Sequence, residues 1–163
     1  MNTDFPFNFI IIPIVIIATA VIGSRYVQRG INDWYKTIHK PTWTPKGSLI
    51  GAVWTFLYIT TGLAILWYWN VPLFSWVHYV VGGILLLNAY LNATWNRVFF
   101  VEHNITKAIG YMNVLNATTI IVTIIIYFSS PIAAVLMLPY ILWVSFATYL
   151  TKQILKLNPE HKE

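Results

Sequence analysis

The chain has 163 residues, of which 58% are hydrophobic and 9% charged, with 10 Lys and Arg against 5 Asp and Glu and a formal net charge of +5. Soluble domains carry about 25% charged residues, so this composition excludes an ordinary water-soluble core and points to a chain that lives in lipid. There is no Cys, which excludes disulfides and thiolate metal sites.

All ten basic residues fall in three places, Arg25 to Lys46, Arg97 to Lys107, and Lys152 onward. Between them lie charge-free runs at 5–24, 47–96 and 108–151, which are 20, 50 and 44 residues long. A helix crossing the bilayer takes about 20 apolar residues, so the first run holds one span and the others two each. Asn70-Val71-Pro72 and Ser129-Ser130-Pro131 divide the long runs, because Pro and small polar residues end helices and favour turns. The expected fold is an all-α integral membrane protein, one five-helix transmembrane domain with spans at 6–27, 48–69, 76–99, 106–128 and 132–155.

The first span lacks a basic leading region and an A-x-A site, so it reads as a retained helix and not as a signal peptide. With five spans, both hairpin turns and the N-terminus share a side without Lys or Arg, while the first loop, third loop and C-terminus hold all ten. The positive-inside rule then places the N-terminus outside and the C-terminus in the cytoplasm. The same rule accounts for the charge excess, so nucleic-acid binding is not expected.

Eight Trp and ten Tyr ask for more than hydropathy. Trp67, Tyr68, Trp69, Trp76 and Tyr79 flank the Asn70 turn as an interfacial aromatic belt would. Trp54, Trp95 and Trp143 lie deeper in their spans, and Trp34, Tyr35 and Trp43 cluster in the first loop.

The first loop, Trp34-Tyr35-Lys36-Thr37-Ile38-His39-Lys40-Pro41-Thr42-Trp43-Thr44-Pro45, resembles the signature of the tryptophan-rich sensory protein family, the bacterial relatives of the mitochondrial translocator protein. Three further blocks fit in order. They are Gly51-Ala52-Val53-Trp54 with Tyr58, Asn92-Ala93-Thr94-Trp95 with Phe99-Phe100, and Pro139-Tyr140-Ile141-Leu142-Trp143 with Phe146-Ala147. The chain departs from the family pattern at Lys46, at Asn96-Arg97 and at Thr151, where the family usually carries Pro, a Pro pair and Asn. The resemblance implies a multi-pass protein, expected in a prokaryotic cell membrane, that binds tetrapyrroles such as protoporphyrin IX or haem and synthetic isoquinoline carboxamide or benzodiazepine-type ligands. A role as a tetrapyrrole or stress sensor is implied too. Alternatives it leaves open are light- and oxygen-dependent porphyrin breakdown, with Trp54 and Trp143 as redox-active rings, and transport of tetrapyrrole or lipid.

The residues themselves also suggest a pocket. Tyr140, Trp143 and Ala147 are spaced to share one face of the fifth span. Asn88 and Asn92 lie one turn apart on the third span and must face protein, ligand or water, because an unpaired amide in lipid costs several kcal/mol. Gly51, Trp54 and Tyr58 share a face of the second span, where the glycine serves either a flat ligand or close helix packing. The first loop, about 18 residues and longer than most helix connections, is expected to lie over the bundle as a lid. Its cations Arg29, Lys36, Lys40 and Lys46 serve orientation or receive ligand carboxylates. The candidate ligand-binding set is thus Trp34, Tyr35, Trp43, Gly51, Trp54, Tyr58, Asn88, Asn92, Trp95, Tyr140, Trp143 and Ala147.

Conventional catalysis finds no footing. The carboxylates Asp4, Asp33, Glu102, Glu160 and Glu163 lie outside the spans, and His39, His78, His103 and His161 lack metal-ligand spacing, so neither a metal nor a required cofactor is expected. A Val144, Tyr149, Lys152 pattern matches the weak sterol motif literally, through a displaced Tyr, and assigns nothing. Ala89 and Ala93 form a small-xxx-small pair suited to a homodimer contact.

Overall fold

The computed structural model describes residues 7–71 and 75–161. Helix α1 is Asn8–Gly30, α2 Trp34–Thr37, α3 Gly47–Trp69, α4 Ser75–Phe100, α5 Ile105–Tyr127 and α6 Pro131–Leu157, followed by a 3-10 turn at Pro159–His161. No strand occurs among the described residues. All helices but the short α2 are long and apolar enough to cross a membrane.

The helix ends follow from local chemistry. Pro131 occupies the first turn of α6, where its missing N–H is not needed. At the end of α3, Asn70 folds back and donates Nδ2 to the Leu66 carbonyl at 2.7 Å. Pro72, expected to help break that hairpin, lies outside the described residues. Asn104 caps α5 by accepting the Lys107 backbone N–H at 2.8 Å. The turn before it passes through His103 at φ 56°, a left-handed conformation that His tolerates better than most residues.

Around the bundle α1 packs between α3 and α4, α4 packs on α5, α5 on α6, and α6 returns to α3. The alternating directions gather the described Lys and Arg residues at one end, and the opposite end carries no Lys, Arg, Asp or Glu among the described residues. Two apolar cores stack between these ends. The one in the basic half is built on Leu57, Trp95, Phe99, Met112, Tyr140 and Val144. The other is built on Ala64, Tyr68, Val81, Ile126 and Met137, and α1 contributes nothing to it.

The unequal share of α1 has a cause in its glycines. Its buried residues are Thr19, Gly23 and Gly30. At Gly30 a Cβ would stand 2.1 Å from the Phe100 carbonyl oxygen, so only glycine lets the two backbones meet there. Toward its N-terminus α1 instead presents Phe9, Ile10, Ile14 and Ile17 outward. A cavity of about 370 Å³ opens in that half, between α1, α3 and α4.

Candidate functional site

The first loop folds back over the basic end of the bundle. Trp34 stacks on His103 at 4.4 Å and meets Phe99 edge-on at 5.2 Å. Tyr35 lies against Phe99 and Phe100 at 6.0 and 5.5 Å, and burial pushes its phenol above the ordinary value. Ile38 is buried in the basic-half core. Trp43 reaches α6, stacked on Tyr149 at 5.8 Å and tilted on Phe146 at 6.0 Å.

Asn158, just past α6, pins the middle of this loop. It accepts the His39 backbone N–H at 2.8 Å and donates to the His39 carbonyl at 2.8 Å, pairing with that residue as a neighbouring strand would. Sequence reasoning missed this residue. The Asn-Pro pair signals a helix end, but nothing local points to a partner 119 positions away.

Lys40 is turned inward on the loop. Its Nζ donates to the Tyr35 and Ile38 carbonyls and lies 4.5 Å from the Tyr35 ring centroid, and burial lowers its pKa. Arg29 sits over the Tyr26 ring. Lys36 and Lys46 are exposed.

Beneath the loop the deep aromatic residues meet. Trp54 stacks on Trp95 at 6.1 Å, meets Tyr140 edge-on at 6.1 Å and lies 5.9 Å from Tyr58. Trp143 is 5.3 Å from Phe146. Below these rings a polar layer crosses the bundle. The Tyr58 hydroxyl donates to Asn92 Oδ1 at 2.8 Å, and Asn92 Nδ2 donates to the Tyr140 hydroxyl at 2.6 Å. Two enclosed indole nitrogens, Trp95 Nε1 and Trp143 Nε1, have no hydrogen-bond partner among the described residues.

Of the twelve candidates, the fold gathers Trp34, Tyr35, Trp54, Trp95, Tyr140, Trp143 and Ala147 in or around one apolar cluster. Tyr58 and Asn92 join it through the polar layer, and Trp43 joins through Phe146. Gly51 and Asn88 stand apart. Gly51 is exposed, with nothing within 4 Å of an added Cβ. Asn88 turns to α5, donating to Thr119 Oγ1 at 2.8 Å and Thr118 Oγ1 at 3.0 Å while also lining the cavity. Among the described residues no group of three or more His, Cys, Asp or Glu is placed to hold a metal.

The fold and this arrangement define a class: a five-helix membrane protein with an aromatic, uncharged interior under a docked basic loop. The chain belongs to the TspO/MBR family, whose pattern matches residues 9–157. It is similar to the tryptophan-rich protein TspO of Chlorobaculum tepidum, 32% identical over 148 residues, which covers 88% of this chain and 90% of that protein. It is similar also to the tryptophan-rich protein TspO of Bacillus cereus, at 32% identity over 88% of this chain and 95% of that protein. The human translocator protein is 30% identical over 79% of this chain and 77% of its own length.

Proposed function

We propose that this protein binds tetrapyrroles, protoporphyrin IX or haem, and other flat lipophilic ligands at the aromatic cluster between the first loop and the Tyr58, Asn92, Tyr140 layer. The observation that carries this reading is the pair of unpartnered indole N–H groups on Trp95 and Trp143. A buried donor without a partner costs about 1–3 kcal/mol, and a ligand acceptor that reaches either indole recovers it there. A macrocycle admitted beside Trp54 and Trp95, whose rings lie 6.1 Å apart, would gain aromatic stacking there. The first loop acts as the lid. Its hold on α6 through Trp43 and Asn158 must loosen for a ligand to enter, and Lys36 and Lys46 on its exposed side receive the ligand's carboxylates.

Absorbance titration of the purified protein with protoporphyrin IX, in the dark and under illumination, tests the reading. Saturable, stoichiometric spectral change in the dark is expected. A chain that leaves the porphyrin spectrum unchanged at micromolar concentration would rule the site out, and light-dependent product formation would make the protein a catalyst as well as a binder.

A further inference from the structure

The cavity in the uncharged half lies on the far side of the polar layer from the loop and the tryptophan cluster. Its walls are mostly apolar, including Ile12, Ile16, Ile65, Leu85 and the ring of Trp69, and its inner end is formed by Tyr58, Asn92 and Tyr140. At about 370 Å³ it falls within the range of small-molecule sites, roughly 300–1,000 Å³.

Hydrogen counting at the inner end shows an unspent donor. A phenol has one hydrogen to give, and the amide of Asn92 has one oxygen to accept it. Tyr58 gives its hydrogen to that oxygen, and Asn92 gives one of its own to Tyr140. The Tyr140 hydrogen then finds no acceptor among the described residues. Exchanging the amide oxygen and nitrogen of Asn92 reverses the chain and moves the spare hydrogen to Tyr58 without removing it. Both phenols line the cavity, so one unspent O–H faces it under either assignment.

Thr61 supplies a second. The hydroxyls of Thr19 and Thr60 donate back to carbonyls of their own helices, whereas Thr61 Oγ1 is enclosed and has no partner among the described residues. Thr61 also lines the cavity and lies three positions after Tyr58, on the same face of α3.

These groups select the occupant. Among the described residues no Lys, Arg, His, Asp or Glu lines the cavity, so a carboxylate or phosphate entering it would be buried without a counter-charge from them, at a cost of several kcal/mol or more. A saturated acyl chain would leave both hydroxyl donors unspent. A flat, uncharged lipophile with carbonyl acceptors fits the walls and spends the donors. We propose that this cavity is a second ligand site, for the carbonyl-bearing ring of a membrane-dissolved lipophile of the quinone class. The site binds the ring without electron transfer, and it is separate from the tetrapyrrole cluster.

The test uses the full-length protein in phosphatidylcholine nanodiscs and a decyl-substituted 1,4-benzoquinone labelled with carbon-13 at its carbonyls. Binding should saturate near one probe per chain above empty nanodiscs, with the carbonyl stretch moved to lower wavenumber by hydrogen bonding. The double variant Tyr58→Phe with Tyr140→Phe should lose that shift and bind about tenfold more weakly. Ile12→Trp and Leu85→Trp fill the cavity from two different helices, and each should weaken quinone binding by about tenfold or more. Monodisperse elution and a helical circular dichroism spectrum verify that each variant folds. Protoporphyrin titration of the two filling variants, whose positions lie outside the tryptophan cluster, reads that cluster separately, so failure of one site is not mistaken for failure of the other. Absence of saturable quinone binding would overturn the proposal, as would quinone binding that both folded filling variants leave intact. A co-purified phospholipid that the quinone fails to displace, and that the filling variants lose, would overturn it in favour of an acyl chain.

Discussion

Single residues separate binding from stability at this site. Trp54 and Trp143 stand in the aromatic region, whereas Trp76 is 66% exposed at the uncharged end. Replacing Trp54 or Trp143 with Phe keeps apolar volume and removes indole area and an N–H, an effect of about 0.5–1.5 kcal/mol. Protoporphyrin affinity should fall by roughly tenfold or less, and Trp76→Phe should leave it unchanged in the same absorbance titration. Equal losses in all three would place the effect in bundle stability. The glycines divide in the same way. A Cβ at Gly30 would meet the Phe100 carbonyl, a backbone atom with little room to move, while Gly51 faces open space. Gly30→Ala should therefore destabilise the protein by roughly 1–3 kcal/mol, read as a lowered midpoint of denaturant unfolding in detergent. Gly51→Ala should be neutral or stabilising by up to about 1 kcal/mol, since Ala is the better helix former.

Whole elements were readable from the sequence where hydropathy alone decides them. The five long helices begin and end within three residues of the expected spans, because Lys and Arg clusters, Pro131 and Asn70 mark the ends independently of tertiary packing. The facing of those helices was less readable. A membrane helix is apolar around its whole circumference, so periodicity does not say which side meets protein, and in α1 only Gly23 and Gly30 mark the half that packs closely. Asn88 and Asn92 show the limit at one turn's resolution. Both had to find partners, yet one turned to α5 and the other joined two tyrosines across the bundle. The loop is the other case, since its aromatic density was plain while the Asn158 clasp rests on a contact across 119 positions. Removing that clasp with Asn158→Ala strips two hydrogen bonds from the His39 backbone and should cost on the order of 1–2 kcal/mol. The cost should appear in the loop and not in the bundle. Hydrogen exchange at the His39 amide should quicken by about tenfold while exchange in α5 stays unchanged; accelerated exchange throughout the chain would show that Asn158 supports the whole fold.

At the scale of the whole molecule two expectations concern surfaces that meet lipid or a second chain. Ala89 and Ala93 line a groove between α1 and α4 together with Ile14, Ala18 and Ile22, on the outside of the bundle. If a second copy packs into this groove, Ala89→Leu with Ala93→Leu should shift the detergent-solubilised protein toward monomer in light scattering. An unchanged mass would assign the alanines to contacts within one chain. The asymmetry between the two ends bears on orientation. Arg25, Arg29, Lys36, Lys40 and Lys46 sit with Arg97, Lys107, Lys152 and Lys156 at one end, and the described part of the other end has no charged residue. Keeping these cations on the translocating side would oppose insertion at every hairpin, so the physics of insertion favours the basic end staying in the cytoplasm. A fluorescent reporter that matures only in the cytoplasm should be active when fused after the C-terminal residue and silent when inserted at Ser129, in the turn between α5 and α6. Periplasmic-type phosphatase fusions at the same two points should give the reverse pattern. Activity of the cytoplasmic reporter at Ser129 alone would invert the protein and place the loop, its cations and the proposed ligand entrance on the outer face, and equal activity at both points would mean that α6 does not cross the membrane.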